Sequence, residues 1–277
     1  MPVEAQRCAR AVIEYDGTAF AGSQYQPNHR TVQGELEEAL NRLTGERVRV
    51  RLAGRTDAGV HASGQVIAFC LPASAPAAAD WRELRRRLNA SLPSDLAIRS
   101  LRAAPAGFDP RREATARVYR YRILSGGVRR PLERHRTLEI DDPLDVAAMA
   151  EAARHLLGER DFAAMGSDAR GRTVRRLTEI SVRRRGQLVE VRVTANAFLR
   201  RMVRSIVAVL LQAGRGRLEP ERVPALLAEG ERIGKRALHG QAAPARGLTL
   251  ERVIYSNTRR RRREPEPSVK EPERAGT

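Results

Sequence analysis

Apolar residues follow two different spacings along this chain, and the spacings take turns. Ala9–Tyr15 (ARAVIEY) is a β-prone run that Asp16-Gly17 ends. From Asp16 to Arg30 no period is visible, although Phe20, Gly22, Gln24, Tyr25, Gln26 and Pro27 fall there, so a functional loop or flap is expected. Thr31 can cap a helix whose apolar face is Val32, Leu36, Ala39, Leu40 and Leu43. Val48, Val50 and Leu52 then alternate with Arg47, Arg49 and Arg51, which predicts a strand with one buried and one arginine face. A Gly-rich turn over Ala53–Gly64 leads to a second strand, Gln65–Cys70. Asp80 caps another helix, with Glu83 placed as its capping-box partner, Trp81, Leu84 and Leu88 as its buried stripe, and Pro93 as its stop. Leu96–Leu101 closes a β-α-β-β-α-β unit.

Pro105, Gly107 and Pro110 mark Arg102–Ala114 as an interdomain connection. Beyond it, Thr115–Leu124 reads as a strand with Tyr119, Tyr121 and Ile123 on one face. Asp142 caps and Pro143 opens a helix expected to end near Gly158. Ile180 and Val182 lead through an Arg183–Gly186 turn to Val189, Val191 and Val193 as a hairpin. An apolar helix is expected from Asn196, with Phe198, Met202, Ile206, Val209, Leu210 and Ala213, ending at Gly214. A short helix near Glu221–Ala228 precedes a last strand, Gly247–Tyr255. The same element order occurs twice. The expected class is α+β, with two ferredoxin-like halves (1–106 and 107–255) sharing a mixed, mainly antiparallel sheet, and a tail over 256–277.

Charge changes this picture. The chain of 277 residues has 51 Lys+Arg against 33 Asp+Glu, a formal net charge of +18, and all but Lys235 and Lys270 of the basic residues are arginines. The segment Ser256–Thr277, with Arg259–Arg263, carries seven basic and four acidic residues, or +3, so +15 belongs to the folded body. The excess points to a polyanion, most often nucleic acid. Hydrophobic residues at 42% can fill a core. The longest apolar runs, such as Ile206–Leu211, are too short to span a bilayer, and the start of the chain lacks a secretory pattern, so a cytoplasmic protein without membrane contact is expected. Cys8 and Cys70 are too few and too widely spaced for a disulfide framework or a zinc site, and the five histidines (His29, His61, His135, His155, His239) show no ligand spacing.

The densest unusual stretch is Gly54-Arg55-Thr56-Asp57-Ala58-Gly59-Val60-His61-Ala62-Ser63-Gly64-Gln65. It packs three glycines around one carboxylate. A guanidinium such as Arg55 beside Asp57 would keep that carboxylate ionised and oriented, and an ionised aspartate in a cleft can act as a nucleophile. The competing reading is an ordinary Asp-Gly turn between strands. No phosphate-binding Gly-Lys-Ser/Thr loop, metal-ligand cluster, Gly-x-Ser-x-Gly elbow or pair of glycosidase carboxylates is evident.

The stretch Gly54–Gln65 (GRTDAGVHASGQ) resembles the signature of the tRNA pseudouridine synthase A family. Similar motifs follow in order: Glu14-Tyr15-Asp16-Gly17 with Phe20, Gly22 and Gln24; Thr31-Val32-Gln33; Asn89–Asp95; Arg117-Val118-Tyr119-Arg120-Tyr121; Asp161-Phe162; Asn196-Ala197-Phe198-Leu199; Met202-Val203-Arg204; Gly214; and Gly247-Leu248. The resemblance runs from about residue 9 to 255. It implies the pseudouridine synthase fold and conversion of uridine to pseudouridine in the anticodon arm of tRNA, typically at positions 38, 39 and 40. It implies no metal and no cofactor, tRNA as partner, and a homodimer. By the same resemblance Asp57 is the catalytic carboxylate, Arg55 holds the flipped-out nucleotide, Tyr119 stacks on the uracil, and Arg204 lies near Asp57. An arginine on so apolar a helix needs an anion, which also favours Asp57 as its partner. Tyr121 reads as core.

This chain departs from the family pattern at three places. Ser23 stands where Trp is usual between Gly22 and Gln24, Phe108-Asp109-Pro110-Arg111 replaces Phe-His-Ala-Arg, and Ala163-Ala164-Met165 follows Asp161-Phe162. Arg47, Arg49, Arg51, Arg82, Arg85–Arg87 and Arg183–Arg185 together suit an RNA backbone read by shape and phosphate contacts. The rival functions are a non-catalytic RNA-binding protein of two ferredoxin-like halves, which needs no Arg55–Asp57 pair, and an aspartyl phosphotransferase, which needs a magnesium site.

Overall fold

The run at Ala9–Tyr15 is longer than its pattern, forming strand β1 (Gln6–Tyr15). In the computed structural model, residues 5–166, 171–229 and 242–256 are described; the tail beyond Ser256, Lys235 and His239 lie outside them. Thr31 Oγ1 accepts the Gly34 N–H at 3.2 Å and starts helix α1 (Val32–Thr44). Strand β2 (Arg51–Leu52) and strand β3 (His61–Pro72) flank the motif loop. Helix α2 (Trp81–Ser91) begins where Asp80 accepts the Arg82 and Glu83 N–H groups, and β4 (Leu96–Ala104) follows. β1 pairs antiparallel with β3 and β4, and β2 pairs antiparallel with β3, so the order is β4-β1-β3-β2.

The later elements repeat this plan. They are β5 (Ala114–Ser125), β6 (Leu138–Ile140), α3 (Val146–Arg154), β7 (Gly158–Asp161), β8 (Val174–Arg185), β9 (Leu188–Ala195), α4 (Met202–Gly214), α5 (Val223–Ala228) and β10 (Leu248–Tyr255). Here β5 lies between β10 and β9, and β8 lies beside β9, giving β10-β5-β9-β8 with every step antiparallel. The two sets join through a parallel contact of β10 with β3 at Thr249↔His61 and Leu250↔Ala62. The result is one mixed, mainly antiparallel sheet in the order β4-β1-β3-β10-β5-β9-β8-β7. Alternation sets its faces. On β5, Tyr119, Tyr121 and Ile123 are buried in the core, which they share with Ile13, Ile67, Leu36 and Ile206. Arg120 and Arg122, pointing the other way, are held by Glu190, Glu251 and Glu133.

Several expectations change for identifiable reasons. The Val48–Leu52 strand shrinks to Arg51–Leu52. The Val50 N–H donates to Glu37 Oε1 at 2.9 Å and the Val50 carbonyl accepts from Gln33 Nε2 at 3.1 Å, so side chains of α1 occupy the groups a strand partner would use. The alternation of burial survives, with Val48 and Val50 buried. The Ala53–Gly64 turn is shorter than its composition, because His61–Gly64 already belong to β3. Glu83 does not close a capping box; its carboxylate pairs with Arg86 at 2.7 Å. α3 starts at Val146, capped by Asp145 and not by Asp142, since the Asp142 carbonyl and Leu144 N–H are taken by the Ser125 hydroxyl. Arg183–Arg185 are strand residues, and the hairpin turns on Gly186-Gln187, where Gly186 has φ +60°. α4 begins at Met202, six residues after Asn196, whose side chain instead accepts the Arg176 and Ala197 N–H groups. Cys8 and Cys70 form a disulfide. They are separated by 62 residues but lie directly opposite in the β1–β3 register, a juxtaposition that spacing alone does not reveal.

Candidate active site

Asp57 lies in the short connection from β2 to β3, beside the seam where β3 meets β10. Buried polar groups hold that connection on all sides. Tyr15 Oη shares a 2.8 Å hydrogen bond with Thr56 Oγ1. The Thr56 N–H donates to Ser23 Oγ at 2.8 Å, while the Ser23 N–H donates to the Thr56 carbonyl at 3.1 Å. Gln65 Nε2 donates to the Gly54 carbonyl at 2.7 Å, and Arg117 Nη2 donates to the Ala53 carbonyl at 2.9 Å. The Val60 N–H closes the turn on the Asp57 carbonyl at 3.1 Å. Gly17 lets the preceding flap touch this turn, because a Cβ there would collide with the Val60 carbonyl. Behind the loop, His61 Nδ1 accepts the Gly17 N–H at 3.1 Å and Nε2 faces the Arg246 carbonyl at 3.1 Å.

The Asp57 carboxylate itself faces arginines. Arg204 Nη1 donates to Asp57 Oδ2 at 3.2 Å, and Arg200 Nε lies 3.9 Å from Oδ1. Arg204 is fixed from its other edge, where Nε donates to the Ala243 carbonyl at 2.6 Å. The Asp57 side chain keeps 27% of its surface accessible, enough for a substrate atom to reach it. Opposite, the Tyr119 ring packs edge-on against Phe198, with centroids 5.1 Å apart. The Tyr119 hydroxyl points past Gly54 toward the loop, 3.9 Å from the position of a Cβ on that glycine. Burial pushes the Tyr119 phenol well above the ordinary tyrosine range, with the nearby Tyr15 and Asp57 acting in the same direction against Arg117. Burial likewise pushes Tyr15 up to about 12 despite its hydrogen bonds. Both phenols are therefore neutral at physiological pH.

The sequence-derived candidates thus gather in one cleft, with one change of role. Asp57, Arg55, Tyr119 and Arg204 all line it. Arg55 does not pair with Asp57: it is exposed, and Arg204 and Arg200 are the guanidinium groups that face the carboxylate. Tyr121 is core, donating its hydroxyl to the Pro244 carbonyl at 2.8 Å. Arg117, Ser23, Gln65 and Phe198 stand in or beside the motifs, but their contacts at the site were not legible in the sequence. Two of the three departures from the family motifs also find structural roles. Ser23 is fully buried against Thr56, and Asp109 accepts the Arg111 and Arg112 N–H groups at 2.8 and 3.0 Å to shape the turn before β5. Among the described residues no group of three or more His, Cys, Asp or Glu side chains could hold a metal, and no helix is long and apolar enough to cross a membrane.

A twice-built α+β sheet joined through its β3–β10 seam is the architecture of the pseudouridine synthase fold. A model of the tRNA pseudouridine synthase family matches residues 11–111 and 152–256. The chain is 44% identical to tRNA pseudouridine synthase A of Geobacter sulfurreducens over 252 residues, covering 90% of this chain and 100% of that protein. It is 43% identical over 249 residues to the protein of the same name from Myxococcus xanthus, covering 89% and 91%, and 40% identical over 248 residues to that of Thermotoga petrophila, covering 88% and 98%. The chain belongs to the tRNA pseudouridine synthase A family.

Proposed function

We propose that this chain isomerises uridine to pseudouridine in the anticodon arm of tRNA, typically at positions 38, 39 and 40, with Asp57 as the catalytic carboxylate. The observation that carries this reading is the Asp57–Arg204 pair facing the Tyr119 ring across one cleft. The C1′–N1 bond breaks, the uracil turns over, and C5 bonds to C1′. One hydrogen leaves C5 and one is gained at N1, so substrate and product have the same formula. Asp57 serves by attack on C1′, or by taking a sugar proton to give a glycal. No second carboxylate is needed, because the detached base is itself the incoming group and no water has to be activated. Arg204 holds Oδ2, while Oδ1 faces the more distant Arg200 Nε at 3.9 Å. The Tyr119 ring offers a stacking surface for the uracil, and its hydroxyl, held neutral by burial, lies where C5 must lose its proton, the balancing proton being gained at N1. Arg55, exposed at the cleft mouth, holds the nucleotide once it has left its stack.

The same reading assigns the remaining parts. The chain divides into halves at 1–106 and 107–255, with the cleft along their seam. Exposed arginines, among them Arg47, Arg82 and Arg87, take the tRNA backbone. The protein works as a homodimer in the cytoplasm, where its substrate is found. The test uses an unmodified tRNA transcript with uridines at positions 38, 39 and 40, beside one with cytidines there. Pseudouridine in the first and none in the second is expected, with tRNA affinity falling steeply as salt rises. Absence of pseudouridine from both would overturn the reading.

A further inference from the structure

Arg117 is 8% exposed, and among the described residues its guanidinium has no carboxylate partner. It is instead divided among four main-chain carbonyls. Nη1 donates to Ala114 at 3.2 Å and Asn196 at 2.9 Å, and Nη2 donates to Ala53 at 2.9 Å and Arg111 at 2.6 Å. A buried cation without an anion is costly unless polar groups replace its water, and four carbonyl dipoles do that here. Burial still lowers its pKa, but an arginine remains charged throughout the working range.

The positions of those carbonyls are what give the side chain a function. Ala53 directly precedes Gly54-Arg55-Thr56-Asp57. Asn196 opens the segment that carries Phe198 and Arg200 and runs into α4, where Arg204 sits. Arg111 and Ala114 belong to the turn and the first residue of β5. Arg117 itself is two residues from Tyr119 on the same face of β5. One planar fork therefore fixes the catalytic loop, the tyrosine strand and the arginine segment relative to each other. These segments lie far apart in sequence, 64 residues between Arg117 and Ala53 and 79 between Arg117 and Asn196.

We infer that Arg117 is a positioning residue for the reaction: it borders the cleft, but its guanidinium is taken up by the four carbonyls, and through them it sets the distance from Asp57 to the base held at Tyr119. The inference rests on the proposed pseudouridine chemistry. The geometry of a fork is essential to it. A lysine places its charge at a single point with three donors and cannot reach all four carbonyls.

The test compares wild type, Arg117→Lys and Arg117→Met, each normalised to its folded fraction by circular dichroism. Pseudouridine formation is followed on unmodified tRNA, with Asp57→Ala as the inactive control. Wild type must be active and the control inactive; failure there would overturn the proposed function before Arg117 is considered. The expected result is a kcat lowered about ten- to hundredfold in both variants, with KM for tRNA changed less than about threefold, since misplacing the reacting groups by about 1 Å costs rate of this order. Arg117→Lys retains the buried charge and at least one hydrogen bond, so it provides a folded variant if Arg117→Met does not. The inference is overturned if folded Arg117→Lys keeps kcat within twofold of wild type, as a purely electrostatic role requires. It is also overturned if KM rises with kcat preserved, as a phosphate contact requires, or if melting temperature falls while kcat per folded molecule is unchanged.

Discussion

Replacing Arg204 with leucine removes the charge-assisted hydrogen bond to the carboxylate, 3.2 Å from Nη1 to Asp57 Oδ2. The Coulomb ceiling for that separation is about 5 kcal/mol at an effective dielectric constant of about 20. The pair is partly open to water, with 16% of the Arg204 side chain and 27% of the Asp57 side chain exposed, so the net contribution is smaller. Hydrogen bonds to charged groups contribute about 1.5–3 kcal/mol. If that is what aims the carboxylate at C1′, the rate falls about ten- to 150-fold. Stability should fall as well, for a separate reason. Asp57 can be solvated where it stands, but the donor to the Ala243 carbonyl at 2.6 Å is lost too. That bond also has a charged donor, so about 1.5–3 kcal/mol is expected, or about 3–12 °C in melting temperature for a chain of this size. The assay is single-turnover pseudouridine formation with enzyme in excess over unmodified tRNA, which separates chemistry from product release. Arg204→Lys should recover part of the rate, because it keeps the charge but cannot bridge Asp57 and Ala243 with a planar fork. A folded Arg204→Leu variant within twofold of wild type would refute the aiming role.

Two further expectations concern stability. The Arg112 N–H hydrogen bond, aided by that of Arg111 and by the Arg51 charge, holds the Asp109 carboxyl below its ordinary range against the opposing effect of burial. A depressed folded value contributes stability above the ordinary carboxylate range of about 4, and that contribution is lost as pH falls through the lowered value. Asp109→Ala should therefore melt below wild type at pH 7, with the gap closing toward pH 3 in thermal melts; a gap independent of pH would contradict this. The Cys8–Cys70 bridge closes a 62-residue separation, a length for which about 2–4 kcal/mol is typical. Reductant should lower the melting temperature without lowering kcat, and two titratable thiols in the unreduced native protein would contradict the bridge.

The parts of the fold governed by local chemistry were legible in the chain. Thr31 and Asp80 cap their helices with the hydrogen bonds their positions predict, and Tyr119, Tyr121 and Ile123 share the buried face that alternation gives them. Where tertiary groups compete for the backbone, local reading loses. Val50 looks like a strand residue, yet Glu37 and Gln33 on α1 take both its main-chain groups. Ser125 takes the groups around Asp142, and the next aspartate, Asp145, becomes the cap. At the site, the GRTDAG loop and the apolar helix bearing Arg204 were conspicuous because each breaks its surroundings. Arg117 was not, being one of 49 arginines. It stands in the motif around Tyr119, and its physical signal was phase: it shares the two-residue repeat of Tyr119 and Tyr121, which puts a charge on the buried face of β5. The Arg204 contact with Asp57 was legible, because a charge on so apolar a helix needs an anion, but the outward turn of Arg55 was not. Arg55 is two residues away in sequence, but the loop directs it outward, and the contact comes from Arg204 across 147 residues.

The central claim is that one carboxylate, Asp57, performs the isomerisation. Its most direct test compares wild type with Asp57→Asn and Asp57→Ala on unmodified tRNA, measuring both pseudouridine and tRNA binding. The account predicts that both variants bind tRNA as wild type does, through the arginine surface, and form no pseudouridine. Pseudouridine formed by either folded variant at a rate near that of wild type would contradict it.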